Sequence, residues 1–480
     1  MTRFLCCNLL LGSLFLLPVL GQGSQVAESP APPAALEVGS ATWATLVDGW
    51  ATPLVHDGLV MGLCVGVLQG DQVWTRGYGR LAATREGAPD QDTIYEIGSI
   101  SKVFTGVLLA DAVERGEIRL DEPIQETLPA EVVLGKRKAP VRWVNLANHT
   151  SGWARMPDNF GVDPDSLVDP YAAYGTKELF DFLKGYRGLR EPGKRYAYSN
   201  LAVGTLGVLL ERRLGSDYAT LIAQRITGPL GMVSTGLSIP EGAASREAAP
   251  YDVSLDPDSL WHFQAMVSAG GIRSSVRDML RLAQATVAAP EGVLGAALEL
   301  SMRPTFEVDE TLSMGLGWHR NPQLGLVWHN GQTGGFHSYL CVCPSEDLAV
   351  VVLCNTASGL VDQLGSNLMA ELRGQATRPW DYEAEHPQPR ERLAGLVGTY
   401  DLAPGVKVEV TLDERGLLGQ LTGQPAVRLL ASDADHFFLR VVDARVTFER
   451  DADGRGMALI LHQGGRDQRA PRRESAPESK

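Results

Sequence analysis

Apolar positions recur at helical spacing in some stretches and alternate at strand spacing in others, and the changes of period divide the chain. Residues 43–54 predict a first helix. Residues 62–68 and 72–77 predict a strand pair around Gly70-Asp71, a hairpin signal. From Ser99 to Arg115 the residues Val103, Phe104, Val107, Leu108, Ala112 and Val113 fall at helical spacing, and Gly116 follows as the C-terminal stop. Residues 117–300 alternate loops with helical patterns. There Ser275 and Asp278 form a capping signal before Met279, Leu282 and Ala283. Strands are predicted at 326–329, 336–343 and 348–354, then a helix at 361–373.

Beyond that helix the pattern changes. Residues 374–390 hold Pro379, Pro387 and Pro389 and form a linker. Val406, Val408 and Val410 then alternate with polar residues, as do Val446 with Phe448 and Met457 with Leu459 and Leu461. Period-two alternation predicts a small all-β domain over 391–470, followed by a charged, disordered tail over 471–480.

The other end carries Arg3, a mostly apolar run over 4–20 and small or polar residues at 21–24. This order predicts a secretory signal peptide over 1–21 and a periplasmic or secreted product. Asn8 and Pro18 interrupt the run, which is short for a bilayer span. Residues 22–40, with Pro30, Pro32 and Pro33, form a flexible lead-in. No stable membrane insertion is expected after cleavage.

At 480 residues the chain predicts one large domain, 41–373, plus the smaller one. A formal net charge of −14 argues against nucleic acid as a partner. Cleavage would remove Cys6 and Cys7 and leave Cys64, Cys341, Cys343 and Cys354 in apolar runs, where buried free thiols are expected. A Cys64–Cys354 disulfide is the alternative in an oxidising compartment.

The chemistry begins at Ser99-Ile100-Ser101-Lys102. Residues three apart share a helix face, so the Lys102 amine lies beside the Ser99 hydroxyl, and Ser101 points away. A serine needs a base to become a nucleophile. Tyr198-Ser199-Asn200 follows a Pro192-Gly193 turn, and a phenol near an amine can pass a proton to a leaving group; alone, it also fits an ordinary buried tyrosine. His329-Asn330-Gly331-Gln332-Thr333-Gly334-Gly335 ends a strand, and its glycines allow close approach of another backbone. His-Glu-x-x-His and other close metal-ligand clusters are absent from the sequence, as is a Gly-x-Ser-x-Gly elbow, so neither a metal nor a cofactor is expected.

In this order the motifs resemble the serine β-lactamase and penicillin-binding-protein superfamily. The similar branch holds class C β-lactamases, D-alanyl-D-alanine carboxypeptidases, D-aminopeptidases and esterases. Tyr95-Glu96-Ile97-Gly98, Asn148-His149-Thr150-Ser151-Gly152 and Ser268-Ala269-Gly270-Gly271 support the resemblance. It implies an α/β (α+β) β-lactamase/transpeptidase-like fold: an antiparallel central sheet flanked by helices plus an all-helical region, followed by the small C-terminal barrel-like domain. It implies that Ser99 becomes acylated, that Lys102 takes its proton, and that Tyr198 serves as partner base and later as proton donor. Asn200 would bond Lys102 and the substrate. His329 would polarise Tyr198 or meet a substrate carboxylate, and the N–H groups of Ser99 and Gln332 would form the oxyanion hole. Asn330, Gly331 and Thr333 would line the substrate site. His149 would be chiefly structural.

The resemblance thus implies an exported serine hydrolase acting on a small amide, a D-amino-acid peptide or an ester. A histidine at the third motif favours peptidase or esterase over class C-like β-lactamase, and a non-catalytic binding or scaffold protein is the rival class. The expected partner is a small-molecule or peptide substrate, with homo-oligomer contacts through the C-terminal domain.

Overall fold

The computed structural model describes residues 40–161 and 169–473; the expected signal peptide, most of the lead-in and most of the tail lie outside them. Helix α1 (Ser40–His56) precedes the hairpin β1 (Gly62–Gln69) and β2 (Gln72–Gly79). After the short β3 (Ile94–Glu96), the single 3-10 turn Gly98–Ile100 leads into α2 (Ser101–Glu114). Ser99 therefore sits in a tight turn just before the helix rather than inside it. Every residue of α2 from Ser101 to Ala112 is buried. An all-round apolar helix has to run through the core, and each fully buried leucine or phenylalanine on it contributes about 1.5–3 kcal/mol.

The helical region follows: α3 (Trp143–Ala147), α4 (Thr176–Leu183), α5 (Asn200–Leu214), α6 (Tyr218–Ile222) and α7 (Val267–Gly270). The short β4 (Arg273–Ser275) pairs with β3 and runs into α8 (Val276–Ala288), which Ser275 caps by accepting from Asp278 N. Next come α9 (Val293–Met302), the short strands β5 (Phe306–Glu307), β6 (Ser313–Met314) and β7 (His319–Asn321), then β8 (Leu326–Gln332), β9 (His337–Cys343), β10 (Leu348–Cys354) and α10 (Leu360–Leu372).

The main sheet is antiparallel, in the order β2-β1-β10-β9-β8-β7-β6-β5. Helices cover both faces. A Cβ on Gly66 of β1 would strike Val276 and Leu280 of α8, whereas one on Gly365 of α10 would strike the Tyr339 ring of β9. The first strand pair, the capped helix and the three late strands match the sequence pattern to within a few residues.

This sheet settles the cysteines. Cys354 pairs with Leu63, and Cys64 is the next residue along β1, so the two side chains leave opposite faces. The alternative of a Cys64–Cys354 disulfide is therefore corrected by strand register. All four cysteines are free and buried. Burial pushes the Cys341 and Cys354 thiols up to about 12, which leaves them inert.

Of the described residues, those between 40 and 379 form one compact unit and 380–473 belong to a second. After the turn α11 (Arg390–Ala394), the second unit is a meander of eight strands, β11 (Gly398–Ala403), β12 (Val406–Leu412), β13 (Leu417–Leu421), β14 (Ala426–Ala431), β15 (His436–Phe438), β16 (Ala444–Arg450), β17 (Gly456–Gln463) and β18 (Arg466–Pro471). A bridge between Tyr400 and Arg472 brings its first and last strands together into a nearly closed barrel. Tyr400, Val410, Phe437, Phe448 and Leu459 fill the interior. Among the described residues no helix is long and apolar enough to cross a membrane.

Candidate active site

Ser99 and Lys102 face each other across the start of α2, with Lys102 Nζ 2.8 Å from Ser99 Oγ. Lys102 is only 1% exposed, and its amine also donates to the Ala269 carbonyl of α7 at 2.6 Å. Burial, then the nearby Arg155 charge, hold the amine well below its ordinary 10.5, which favours the free base. Ser101 faces elsewhere and accepts from Ile272 N at 3.0 Å.

Two glycines bring β8 against the serine turn. Gly98 takes φ +49°, and a Cβ there would meet Gln332 N at 2.7 Å. A Cβ on Gly331 would meet Ile97 O at 2.0 Å and Ser99 N at 2.7 Å. The Ser99 and Gln332 backbone nitrogens are thereby neighbours. Strand β7 pairs only with residues 326–328 of β8, so among the described residues 329–332 have no strand partner on that side.

The Tyr-Ser-Asn segment is fixed by capping. Ser199 is the N-cap of α5, accepting from Ala202 N at 3.0 Å and donating to Ala154 O at 2.6 Å. Asn200 N and Leu201 N donate to Arg155 O at 3.0 and 3.2 Å. These bonds tie the loop after α3 to the residues flanking Tyr198. The Tyr198 hydroxyl faces Ser99, and Lys102 Nζ lies 4.9 Å from its ring centre. Burial drives the phenol above its ordinary 10, with Ser99 and Arg155 pulling the other way.

Asn200 departs from expectation. Its amide donates to Met156 Sδ at 3.6 Å, while the buried Oδ1 has no partner among the described residues. The expected Asn200–Lys102 bond is not formed, because Lys102 turns to Ala269 instead. His329 Nδ1 donates to the Asn330 carbonyl at 2.6 Å, so Nε2 of the neutral ring is a buried acceptor with no partner among the described residues. Burial, His319 and Lys102 hold His329 well below its ordinary 6.5. The third motif therefore presents a neutral imidazole rather than a cation for a carboxylate. Its ring centre is 6.3 Å from that of Tyr198.

Two of the expected substrate-lining residues look elsewhere. The Asn330 amide donates to Asp362 of α10 at 2.8 Å, because alternate residues of β8 face opposite sides of the sheet. Thr333 is buried with its hydroxyl toward Glu96. Glu96, raised to about 7 by burial, accepts from Trp261 N and pairs with Arg273. Gly331 remains beside Ser99.

The structure adds groups that spacing did not single out for the site. His149, in a strained turn at φ +60°, accepts from Ser199 N through Nδ1 and packs on Tyr198 with ring centres 4.3 Å apart. His319 of β7 lies 4.8 Å from His329, ring centre to ring centre, and burial and Lys102 push it down to about 4. The Arg155 guanidinium sits 5.0 Å over the Tyr198 ring. Tyr171 stacks on Phe263 at 4.3 Å, with its hydroxyl toward Asn200. The only advance signal was the place of His149 in a turn motif, whereas His319 reaches the site through the pairing of β7 with β8. Nothing in the sequence distinguished Arg155 or Tyr171. Among the described residues no cluster of His, Cys, Asp or Glu is arranged to hold a metal ion.

The two-face-covered antiparallel sheet, with an apolar helix carrying the Ser-x-x-Lys pair at its start, defines a serine hydrolase of β-lactamase/transpeptidase-like fold. The chain belongs to the Beta-lactamase family, whose profile matches residues 47–372; residues 383–472 match DUF3471, a domain of unknown function. A Pseudomonas fluorescens "Beta-lactamase" is 26% identical over 345 residues, covering 65% of this chain and 92% of that protein. The "D-alanyl-D-alanine-carboxypeptidase/endopeptidase AmpH" of Escherichia coli K12 is 24% identical over 331 residues, covering 64% and 83%. A penicillin-binding protein of Bacillus subtilis is 26% identical over 439 residues, covering 84% and 93%. In fold, the chain is similar to a beta-lactamase/D-alanine carboxypeptidase from Pseudomonas syringae, with a TM-score of 0.61 at 22% identity over 70% of this chain and 100% of that one.

Proposed function

We propose that this protein is an exported hydrolase that forms an acyl-enzyme on Ser99 with a small amide, a D-amino-acid peptide or an ester. The observation that carries this reading is the buried Lys102 amine 2.8 Å from the Ser99 hydroxyl. Groups whose surroundings push their proton affinities apart divide acid from base work. Lys102 is pushed down and Tyr198 up, so Lys102 is the base and Tyr198 the acid.

The Ser99 oxygen attacks the carbonyl carbon as its proton passes to Lys102. The carbonyl π pair moves onto oxygen, where the Ser99 and Gln332 N–H groups receive it. Collapse of this intermediate expels the leaving nitrogen or oxygen, which takes the Tyr198 proton, and Tyr198 regains a proton from Lys102. Water then attacks the ester as one of its protons passes to the base, and collapse releases the acid while the departing Ser99 oxygen takes that proton back from the base. His149 and His329 hold the Tyr198 ring in place as neutral imidazoles.

β-Lactam hydrolysis is the second reading. It uses the same steps and is favoured by relatives named beta-lactamases. Intact-mass measurement after incubation with benzylpenicillin or p-nitrophenyl acetate tests the common mechanism. An adduct on Ser99 that is absent from Ser99→Ala is expected. A folded protein with neither adduct nor turnover overturns it and favours a binding or scaffold role. Faster turnover of nitrocefin than of D-alanyl peptides and esters selects the second reading.

A further inference from the structure

Arg155 has no part in the steps above, yet its place is unusual. Its guanidinium lies 5.0 Å over the Tyr198 ring, and the Lys102 amine lies 4.9 Å from the centre of that same ring. Among the described residues its buried Nε has no hydrogen-bond partner and no carboxylate pairs with it. Its backbone carbonyl receives Asn200 N and Leu201 N, so it is anchored to the turn that carries Tyr198. A guanidinium stays charged at any working pH. A buried, unpaired guanidinium nitrogen is costly to keep, which calls for a reason.

The groups facing Lys102 come from six elements. They are Ser99 on the serine turn, His149 and Arg155 on the loop after α3, Tyr198 before α5, the Ala269 carbonyl on α7, His319 on β7 and His329 on β8. The three imidazoles are held toward their neutral forms by burial, and Tyr198 toward the neutral phenol. Arg155 is therefore the one permanent charge in this set. Two positive charges around one buried ring repel, and the amine is the group able to discharge.

We propose that Arg155 is a positioning residue for the reaction's proton: its fixed charge excludes a second cation from Lys102 and so keeps the amine free to receive the Ser99 proton. This rests on the reading of Ser99 and Lys102 as nucleophile and base. Removing the charge lets Lys102 hold its proton to higher pH. The acidic limb of the rate profile then moves upward, whereas a lysine at the same place preserves the charge.

The test is the pH dependence of kcat/KM for p-nitrophenyl acetate in wild type, Arg155→Met and Arg155→Lys. The limb in Arg155→Met is expected about one pH unit higher, a roughly tenfold loss on the acid side, with Arg155→Lys returning most of it. Arg155→Gln replaces the Met variant if that one does not fold. Coincident limbs in the wild type and the uncharged variant overturn the inference, as does a Lys variant displaced as far as the uncharged one. Wild-type turnover with a Ser99 adduct in those cases leaves the acyl-enzyme reading intact. Absence of both overturns the two together.

Discussion

Asn330 gives its side-chain amide to Asp362 at 2.8 Å, although it follows directly after a histidine that faces the reactive serine region. Asp362 also pairs with His337 at 2.9 Å, so the amide belongs to a small network between β8, β9 and α10. Its loss therefore falls on stability. Asn330→Ala is expected to lower unfolding free energy by about 1–3 kcal/mol, because it strips a bond from a charged acceptor. The value of kcat/KM on p-nitrophenyl acetate should stay within about threefold of wild type, below the step a lost catalytic bond gives. Urea unfolding and steady-state kinetics on one preparation check both. A large fall in turnover at unchanged stability would place Asn330 in the substrate site after all.

Lys102→Met separates the opposite way. The amine is buried beside a serine and a carbonyl, where a methionine of similar length can fill the space without a polar group to bury. Removal of a general base costs about 10²–10⁴ in rate. Nitrophenyl ester hydrolysis should fall by that factor while the thermal midpoint stays level or rises. A variant that loses its fold together with its activity would make Lys102 a structural residue instead.

What could be read from sequence divides by range of interaction. Ser99 and Lys102 are three residues apart, so local helix geometry alone brought them together. The strands of the hydrolase unit followed from long apolar runs, and those of the second unit from alternation. Long-range placement was hidden. Arg155 reaches Tyr198 through backbone bonds to the first turn of α5, and His319 meets His329 only through the register of β7 against β8. Asn330 shows the remaining gap. The motif gave its position in the strand, but its contact depended on the presence of Asp362 across the sheet.

The buried histidines give stability a defined pH dependence. His149, His319 and His329 are each held below 6.5 by burial, His319 down to about 4. Between about pH 6.5 and 4 the unfolded chain binds protons that the folded chain refuses, so stability is full above that window and is lost as pH falls through it. Glu96, raised to about 7 by burial, acts in the opposite sense, since its folded form binds the extra proton. A single substitution isolates the histidine contribution. His319→Phe keeps a flat ring against Trp328 and removes the titration. Its loss of stability between about pH 7.5 and 4.5 should be about 2–3 kcal/mol smaller than that of wild type, from urea midpoints at both. Parallel losses in the two proteins would show that His319 does not titrate there.

Gly331 offers the sharpest test of the pairing between β8 and the serine turn. An added Cβ would meet Ile97 O at 2.0 Å and Ser99 N at 2.7 Å, both backbone atoms that cannot rotate away. Gly331→Ala must therefore push the strand from the turn and separate the Ser99 and Gln332 nitrogens. The Ser99–Lys102 pair lies within one turn of chain and should persist. The variant is thus expected to keep its base and the Ser99 N–H but lose the Gln332 N–H as an oxyanion donor, at a cost of about 10²–10³ in kcat, the range for one such donor. Slowed acylation of Ser99 by benzylpenicillin, followed by intact mass, reads the step directly. Unchanged acylation by a folded Gly331→Ala protein would mean that the Gln332 N–H takes no part in holding the oxyanion.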